Sequence, residues 1–244
     1  MDTPYEIEIA LEEADHAIGL SKLGVHRIEL CANLSEGGLT PTVGQAKQVV
    51  QATSLPVYAM LRPRAGNFTY TEVEKEQILD DFAALSQTGI QGVVFGALSP
   101  ANELDIDFCS AVVERARYLG LGTTFHRAID AARQPVVIAQ QLVELGVNRV
   151  LTSGGHPTVR EGVVGIEALV AKFSRDISVQ AGSGVNANTA GLLWSAGVRS
   201  FHMTARKFDR QLEDSLGFES RWVRDVEKIA ALREVLEHLA RVGG

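Results

Sequence analysis

Two patterns of apolar positions alternate along this chain. Short runs rich in Val, Ile and Leu at 5–11, 27–32, 57–62, 92–98, 122–128, 149–153, 178–182 and 200–204 read as strands. Between them lie longer runs in which apolar residues return every three or four positions, as in 72–88 and 135–145, and these read as helices. Several helical runs stop in one manner: Leu23-Gly24-Val25, Thr88-Gly89-Ile90, Leu119-Gly120-Leu121, Leu145-Gly146-Val147 and Ala196-Gly197-Val198. Glycine accepts the left-handed turn that ends a helix, and the apolar residue after it leads into the next strand. Strands separated by helices pair in parallel through crossovers. Eight such units predict an α/β fold, a closed (β/α)8 TIM-type barrel. An open doubly wound sheet is the alternative, although it commonly has fewer strands and one glycine-rich switch point. Residues 1–244 read as one domain. Its last part, 206–244, is expected to hold a polar loop and a C-terminal helical extension at about 221–242, which closes the barrel or packs on a partner chain.

Alternation within each strand sorts side chains into two faces. If the apolar parity faces the helices, then Glu8, Glu29, Arg62, His126 and His202 face the barrel axis, mostly near strand C-termini. A barrel axis is ordinarily filled by branched apolar side chains, and active sites gather at the C-terminal face. Five ionisable groups there are either a buried salt-bridge network, such as Arg62 with Glu29, or a site that supplies acid, base and anion clamp. In the second reading Glu8, Glu29, His126 and His202 are the catalytic candidates. His126 or Glu29 would be the base, and His202 or Glu8 the acid. Glycine-bearing loops follow strands 2, 6 and 7: Glu36-Gly37-Gly38, Ser153-Gly154-Gly155 and Gly182-Ser183-Gly184, the last ahead of a helix capped by Asn186. They are tight turns or, with backbone N–H groups at a helix start, an anion site. Arg62-Pro63-Arg64 leaves strand 3 stiffened by proline. Arg62, Arg64, Arg127, Ser153, Gly154, Gly182, Ser183 and Gly184 are the anion-binding candidates, with the arginines suited to a bidentate grip.

Composition narrows the partners. A net charge of −7 argues against nucleic acid and anionic membrane, and the arginines and glycine-bearing loops make a small anionic molecule the expected ligand. No apolar run approaches the roughly 20 residues of a membrane span, and no basic, apolar leader is visible, so a cytoplasmic protein is expected. Cys31 and Cys109 stand far apart without metal-type spacing and read as free thiols. No lysine lies on an expected strand, Lys207 being the nearest, so a Schiff-base aldolase is disfavoured.

Several of these strings together are similar to the copper-homeostasis family called CutC. They are Arg27-Ile28-Glu29-Leu30-Cys31-Ala32, Glu36-Gly37-Gly38-Leu39-Thr40-Pro41, Arg62-Pro63-Arg64 with Gly66, Phe68 and Tyr70, and Thr124-Phe125-His126-Arg127-Ala128. Arg149-Val150-Leu151-Thr152-Ser153-Gly154 and Ala181-Gly182-Ser183-Gly184-Val185 belong with them, so the likeness covers 5–206. The resemblance implies a cytoplasmic barrel, usually a homo-oligomer, and copper as ligand. Cys31, with Met60 nearby, would be the Cu(I) donor, since Cu(I) favours soft ligands. Two departures weaken that implication. Strand 1 reads Ile7-Glu8-Ile9-Ala10 where some relatives carry cysteines, and Ser200 stands where relatives commonly have an acid. The functional expectation is therefore a CutC-type barrel with a site for a small anion. The alternative is an acid–base enzyme, or one using a divalent Mn, Zn or Fe ion held by Glu8, Glu29, His126 and His202, acting on a sugar-like or phosphorylated substrate.

Overall fold

The computed structural model describes residues 3–209 and 221–242. Eight strands close a parallel barrel in chain order: β1 (Glu6–Leu11), β2 (Arg27–Leu30), β3 (Val57–Met60), β4 (Gly92–Phe95), β5 (Gly122–Phe125), β6 (Arg149–Thr152), β7 (Ser178–Ala181) and β8 (Ser200–Met203). The closing pair is β1 with β8, where Glu8 stands beside His202. Most of these strands end one to three residues earlier than their apolar runs. Cys31, Arg62, His126 and Ser153 thus lie just past the ladders, where the backbone turns into the loops of the C-terminal face.

The outer layer is made by α1 (Ala14–Ala17), α2 (Val43–Ala52), α3 (Glu72–Ser86), α4 (Ile106–Tyr118), α5 (Pro135–Leu145), α6 (Val163–Phe173), α7 (Ala187–Ser195) and α8 (Val226–Val242). Local chemistry starts them. Thr42, Thr71 and Asn186 cap α2, α3 and α7, each in a reciprocal box with the residue three positions on. The glycines expected at the helix ends all have positive φ. α8 is the eighth outer helix. It packs on α7 and on the turn at Leu20–Leu23, and buries Ile229, Leu232 and Leu236. Where a polar loop was expected after β8, β9 (Arg206–Asp209) and β10 (Arg221–Arg224) form an antiparallel pair. Arg206 lies 4.3 Å over the Trp222 ring, and Phe208 meets that ring edge-on at 5.5 Å. These cross-strand contacts stabilise a short ribbon that no period in its sequence announces. Residues 210–220, inside the same expected loop, lie outside the described residues.

The parity sorting holds. Ile7, Ile9, Ile28 and Leu30 belong to the large core between barrel and helices, whereas Cys31, Met60 and Val94 form a small separate cluster inside the barrel. Tyr58 lies across the interior near the N-terminal end. A Cβ on Gly92 or Gly122 would come within 2.2 Å of it, so both positions must stay bare. Both cysteines are buried, unpaired thiols. No helix among the described residues is long and apolar enough to cross a membrane.

Candidate functional site

Charged side chains climb the inside of the barrel in alternating sign. Arg149 donates from Nη2 to Glu6 at 2.6 Å. Arg27 donates to Glu8 and, at 3.0 Å, to Thr124, with its guanidinium 4.0 Å over the Tyr58 ring. Glu8 receives the Nδ1–H of His202 at 2.7 Å, and His202 Nε2 stands 3.9 Å from Glu29. Glu29 in turn accepts the Cys31 thiol at 3.5 Å. A salt-bridge network therefore exists, but the expected pair of Arg62 with Glu29 is not part of it among the described residues. Arg27 and Arg149 supply the cations instead. Strand pairing explains this: the register sets Glu8 opposite Arg27, a relation no single strand can display.

The network fixes charge states. Burial works to raise Glu8, but Arg27 first and then His202 outweigh it and hold the carboxyl far below its usual range. Burial works to lower His202, yet Glu29 and Glu8 together raise it. Glu29 is raised by burial, with Glu8 as a like charge beside it. Both Glu8 oxygens are engaged, so this residue orients His202 and does not reach the ligand space itself.

Above the ladder opens a cavity of about 740 Å³ at the C-terminal face. Glu29, Arg62, His126 and His202 all line it, so four of the five residues expected on the axis meet there. Arg62 is 6% exposed and makes no ion pair among the described residues. Its Nη groups donate to the carbonyls of Glu36 (3.0 Å), Gly38 (3.2 Å) and Gly66 (2.9 Å), while Nε has no partner. The nearby Tyr70 hydroxyl is also without one, and burial pushes it up to about 12 against the pull of Arg62.

His126 is positioned with equal care. Its imidazole lies where a Gly96 Cβ would be, 2.5 Å from two ring atoms, and packs on Phe68 at a centroid distance of 4.9 Å. The backbone N–H of Ala128 donates to Nδ1 at 3.1 Å, so the ring proton sits on Nε2, which has no partner. Burial, then the charge of Arg62, push this imidazole down to about 3.

The other anion-binding candidates divide. Ser183 and Gly184 line the cavity in left-handed backbone. Arg127 also lines it, but its charge is answered by Asp130 at 2.8 Å. Arg64 clamps its own loop through Glu74 and the carbonyls of Ala65, Asn67 and Thr69. Ser153 is fully buried, with its N–H and hydroxyl both directed to Asp130. Gly154 is bare for packing: a Cβ there would fall 1.9 Å from the Gly162 carbonyl. Gly182 is hemmed in by Leu151 and His202. These last four stay away from the cavity because their polar groups are already used or their space is filled. Phe68, Gly96, Arg206 and Lys228 are additions that strand parity could not find. Only Gly96, a lone glycine at a strand end, carried a signal of close approach. Lys207 is exposed on β9 and is not part of the lining.

Two metal readings meet this geometry. Glu8, Glu29 and His202 place ligand atoms within 4.8 Å of one another, without His126. With Glu8 held by Arg27 and His202, two donors stay free, fewer than the three of a catalytic zinc site, so a divalent ion does not fit. For Cu(I), burial first and Glu29 second raise the Cys31 thiol well above its usual range, and the thiolate is the ligand form. Cys31 is also absent from the cavity wall and covered by Gly38, so a soft thiolate site does not fit either.

Comparison with known proteins adds the lineage. The model of the CutC family matches residues 5–207. A family protein CutC from Pasteurella multocida is 39% identical over 204 residues, 83% of each chain. One from Vibrio parahaemolyticus is 41% identical over 184 residues, 75% of this chain and 74% of that one. The crystal structure of CutC from Streptococcus agalactiae, described as a candidate copper homeostasis protein, superposes with a TM-score of 0.74. It is 28% identical and covers 81% of this chain and 97% of its own.

Proposed function

This chain belongs to the CutC family, and from that footing we propose that it binds a small anionic molecule in the cavity at the C-terminal face, with Arg62 as the counter-charge. One observation carries the reading: a buried guanidinium facing ligand space with no carboxylate among the described residues. Its charge is answered only by backbone carbonyls, and an incoming anion would supply the missing opposite charge. The backbone supports it from the opposite wall, where Ser183 and Gly184 turn left-handed ahead of α7. Copper homeostasis, the role in the description of the streptococcal protein, finds less support in these residues, because the one thiol near the site is a protonated donor to Glu29.

Calorimetric titration with 2-phosphoglycolate tests the proposal. The parent protein is expected to bind, and Arg62→Gln to bind about 10- to 100-fold more weakly, the worth of a charged hydrogen bond of about 1.5–3 kcal/mol. Circular dichroism of the variant should match the parent. Equal affinity in the two proteins would overturn the assignment.

A further inference from the structure

Three different kinds of group line the cavity: a carboxylate with a free oxygen, a neutral imidazole with a free N–H, and a cation. Glu29 Oε2 and His126 Nε2 are both buried and both lack partners among the described residues. Neither group is free to move away. Glu29 is tethered by Cys31 and His202, and the His126 ring is held by Gly96, Phe68 and the Ala128 N–H. No hydroxyl or thiol among the described lining residues is hydrogen-bonded to a histidine or carboxylate. Ser183 Oγ, for example, donates to the Pro157 carbonyl. A nucleophile activated by a base is therefore missing, and covalent catalysis of that kind has no starting point.

What this set does supply is a base and a hydrogen-bond donor in the lining of one cavity. Resting on the anion reading above, we propose that the cavity abstracts a proton next to a carbonyl. Its substrate class is a 2-hydroxy-carbonyl compound with an anionic end, carboxylate or phosphate. The Cα–H bond breaks and its proton passes to Glu29 Oε2. The bonding pair becomes a C=C bond, and the carbonyl electrons move onto oxygen, giving an enediolate. That oxygen receives the His126 Nε2–H, while Arg62 holds the anionic end. His126 gives its Nε2 proton to the enediolate oxygen and takes up the proton of the former hydroxyl, and Glu29 returns its own proton to the neighbouring carbon, which completes an isomerisation with no oxidant, reductant or metal required.

The electrostatics agree with the geometry. A base is most useful when its affinity for protons lies near the operating pH, and burial moves Glu29 in that direction. A neutral imidazole donates to a developing oxyanion without carrying a charge that would trap it. The same logic operates in triosephosphate isomerase, a worked example of neutral-histidine electrophiles. His202, held by Glu8 and itself raised by the two carboxylates, works against the burial that raises Glu29.

Two measurements on the full chain decide the matter. The first compares glycerol 3-phosphate, which has the anionic end but only sp3 carbon, with phosphoglycolohydroxamate, whose planar hydroxamate imitates an enediolate. The hydroxamate is expected to bind at least about tenfold more tightly, since a transition-state mimic exceeds a ground-state one by about 100-fold or more. His126→Phe should abolish that preference and keep glycerol 3-phosphate binding. Should both compounds bind equally well to the parent, proton abstraction is overturned and the anion reading stands. Should neither bind, both fall together. The second measurement needs no variant: ¹⁵N–¹H correlation spectra of the histidine rings should show His126 as the Nε2–H tautomer from about pH 5 to pH 8. An Nδ1–H tautomer, or titration near its ordinary pKa of about 6.5, removes the donor and the proposal with it.

Discussion

His126 joins the fate of a residue to the stability of the whole chain. Its imidazole is pushed down to about 3 by burial and Arg62, against about 6.5 in an unfolded chain. As pH falls below about 6.5, the unfolded state takes up this proton first, and the folded state loses stability until pH nears 3. The slope is at most about 1.4 kcal/mol per pH unit. His202 acts in the opposite sense. Its raised affinity contributes stability that is complete below about 6.5 and is lost as pH rises through its folded value. Urea unfolding of the parent and His126→Gln between pH 6 and pH 4 checks the first effect. The parent should lose stability faster, the gap widening by up to about 1.4 kcal/mol per unit. Parallel profiles would show that His126 is protonated, or exposed, in the folded protein. Parity within strands was enough to bring Glu29, Arg62, His126 and His202 to one face. It could not show that Glu8 is held away from the ligand by Arg27, because that contact depends on register between β1 and β2. Nor could it tell that Ser153 is turned to Asp130, whose position depends on the loop after β5.

At the level of elements, the helix ends were the most legible features, because Gly24, Gly89, Gly120, Gly146 and Gly197 act through local backbone geometry. Strand ends were less so, because an apolar run continues into the loop after the ladder has stopped. The His126 backbone, at φ −76° and ψ −170°, already starts the short turn Arg127–Ala131. The ribbon of β9 and β10 escaped notice because its stabilising contact, Arg206 on Trp222, joins residues far apart in sequence. α8 was expected as an extension that either closes the barrel or meets a partner, and its apolar stripe packs within the chain. Leu232 is fully buried beside Ile229 and Leu236, beyond the residues that the family model matches. Leu232→Ala should cost about 2–5 kcal/mol in chemical denaturation, the usual range for emptying such a site. A loss under about 1 kcal/mol, the size of a surface change, would mean that α8 is not part of the folded core.

Across the whole molecule, eight repeats of strand and helix made the closed barrel readable, and chain order around it follows from right-handed crossovers between neighbours. What sequence could not supply is the vertical order of charges inside. Glu6, Arg27, Glu8, His202 and Glu29 form one alternating ladder only after closure joins β8 to β1. The chain carries −7 overall, and of the cavity's cations Arg127, Arg206 and Lys228 are paired with Asp130, Glu12 and Asp225, which leaves Arg62 without a carboxylate among the described residues. One unanswered cation in a concave site on an acidic body gives a small anion a single place to settle. Anomalous diffraction from crystals soaked in selenate tests this most directly, because selenium marks where an anion settles. A peak is expected within hydrogen-bond reach of the Arg62 guanidinium, inside the cavity bounded by His126 and Gly184. Strong peaks elsewhere with none beside Arg62 would contradict it.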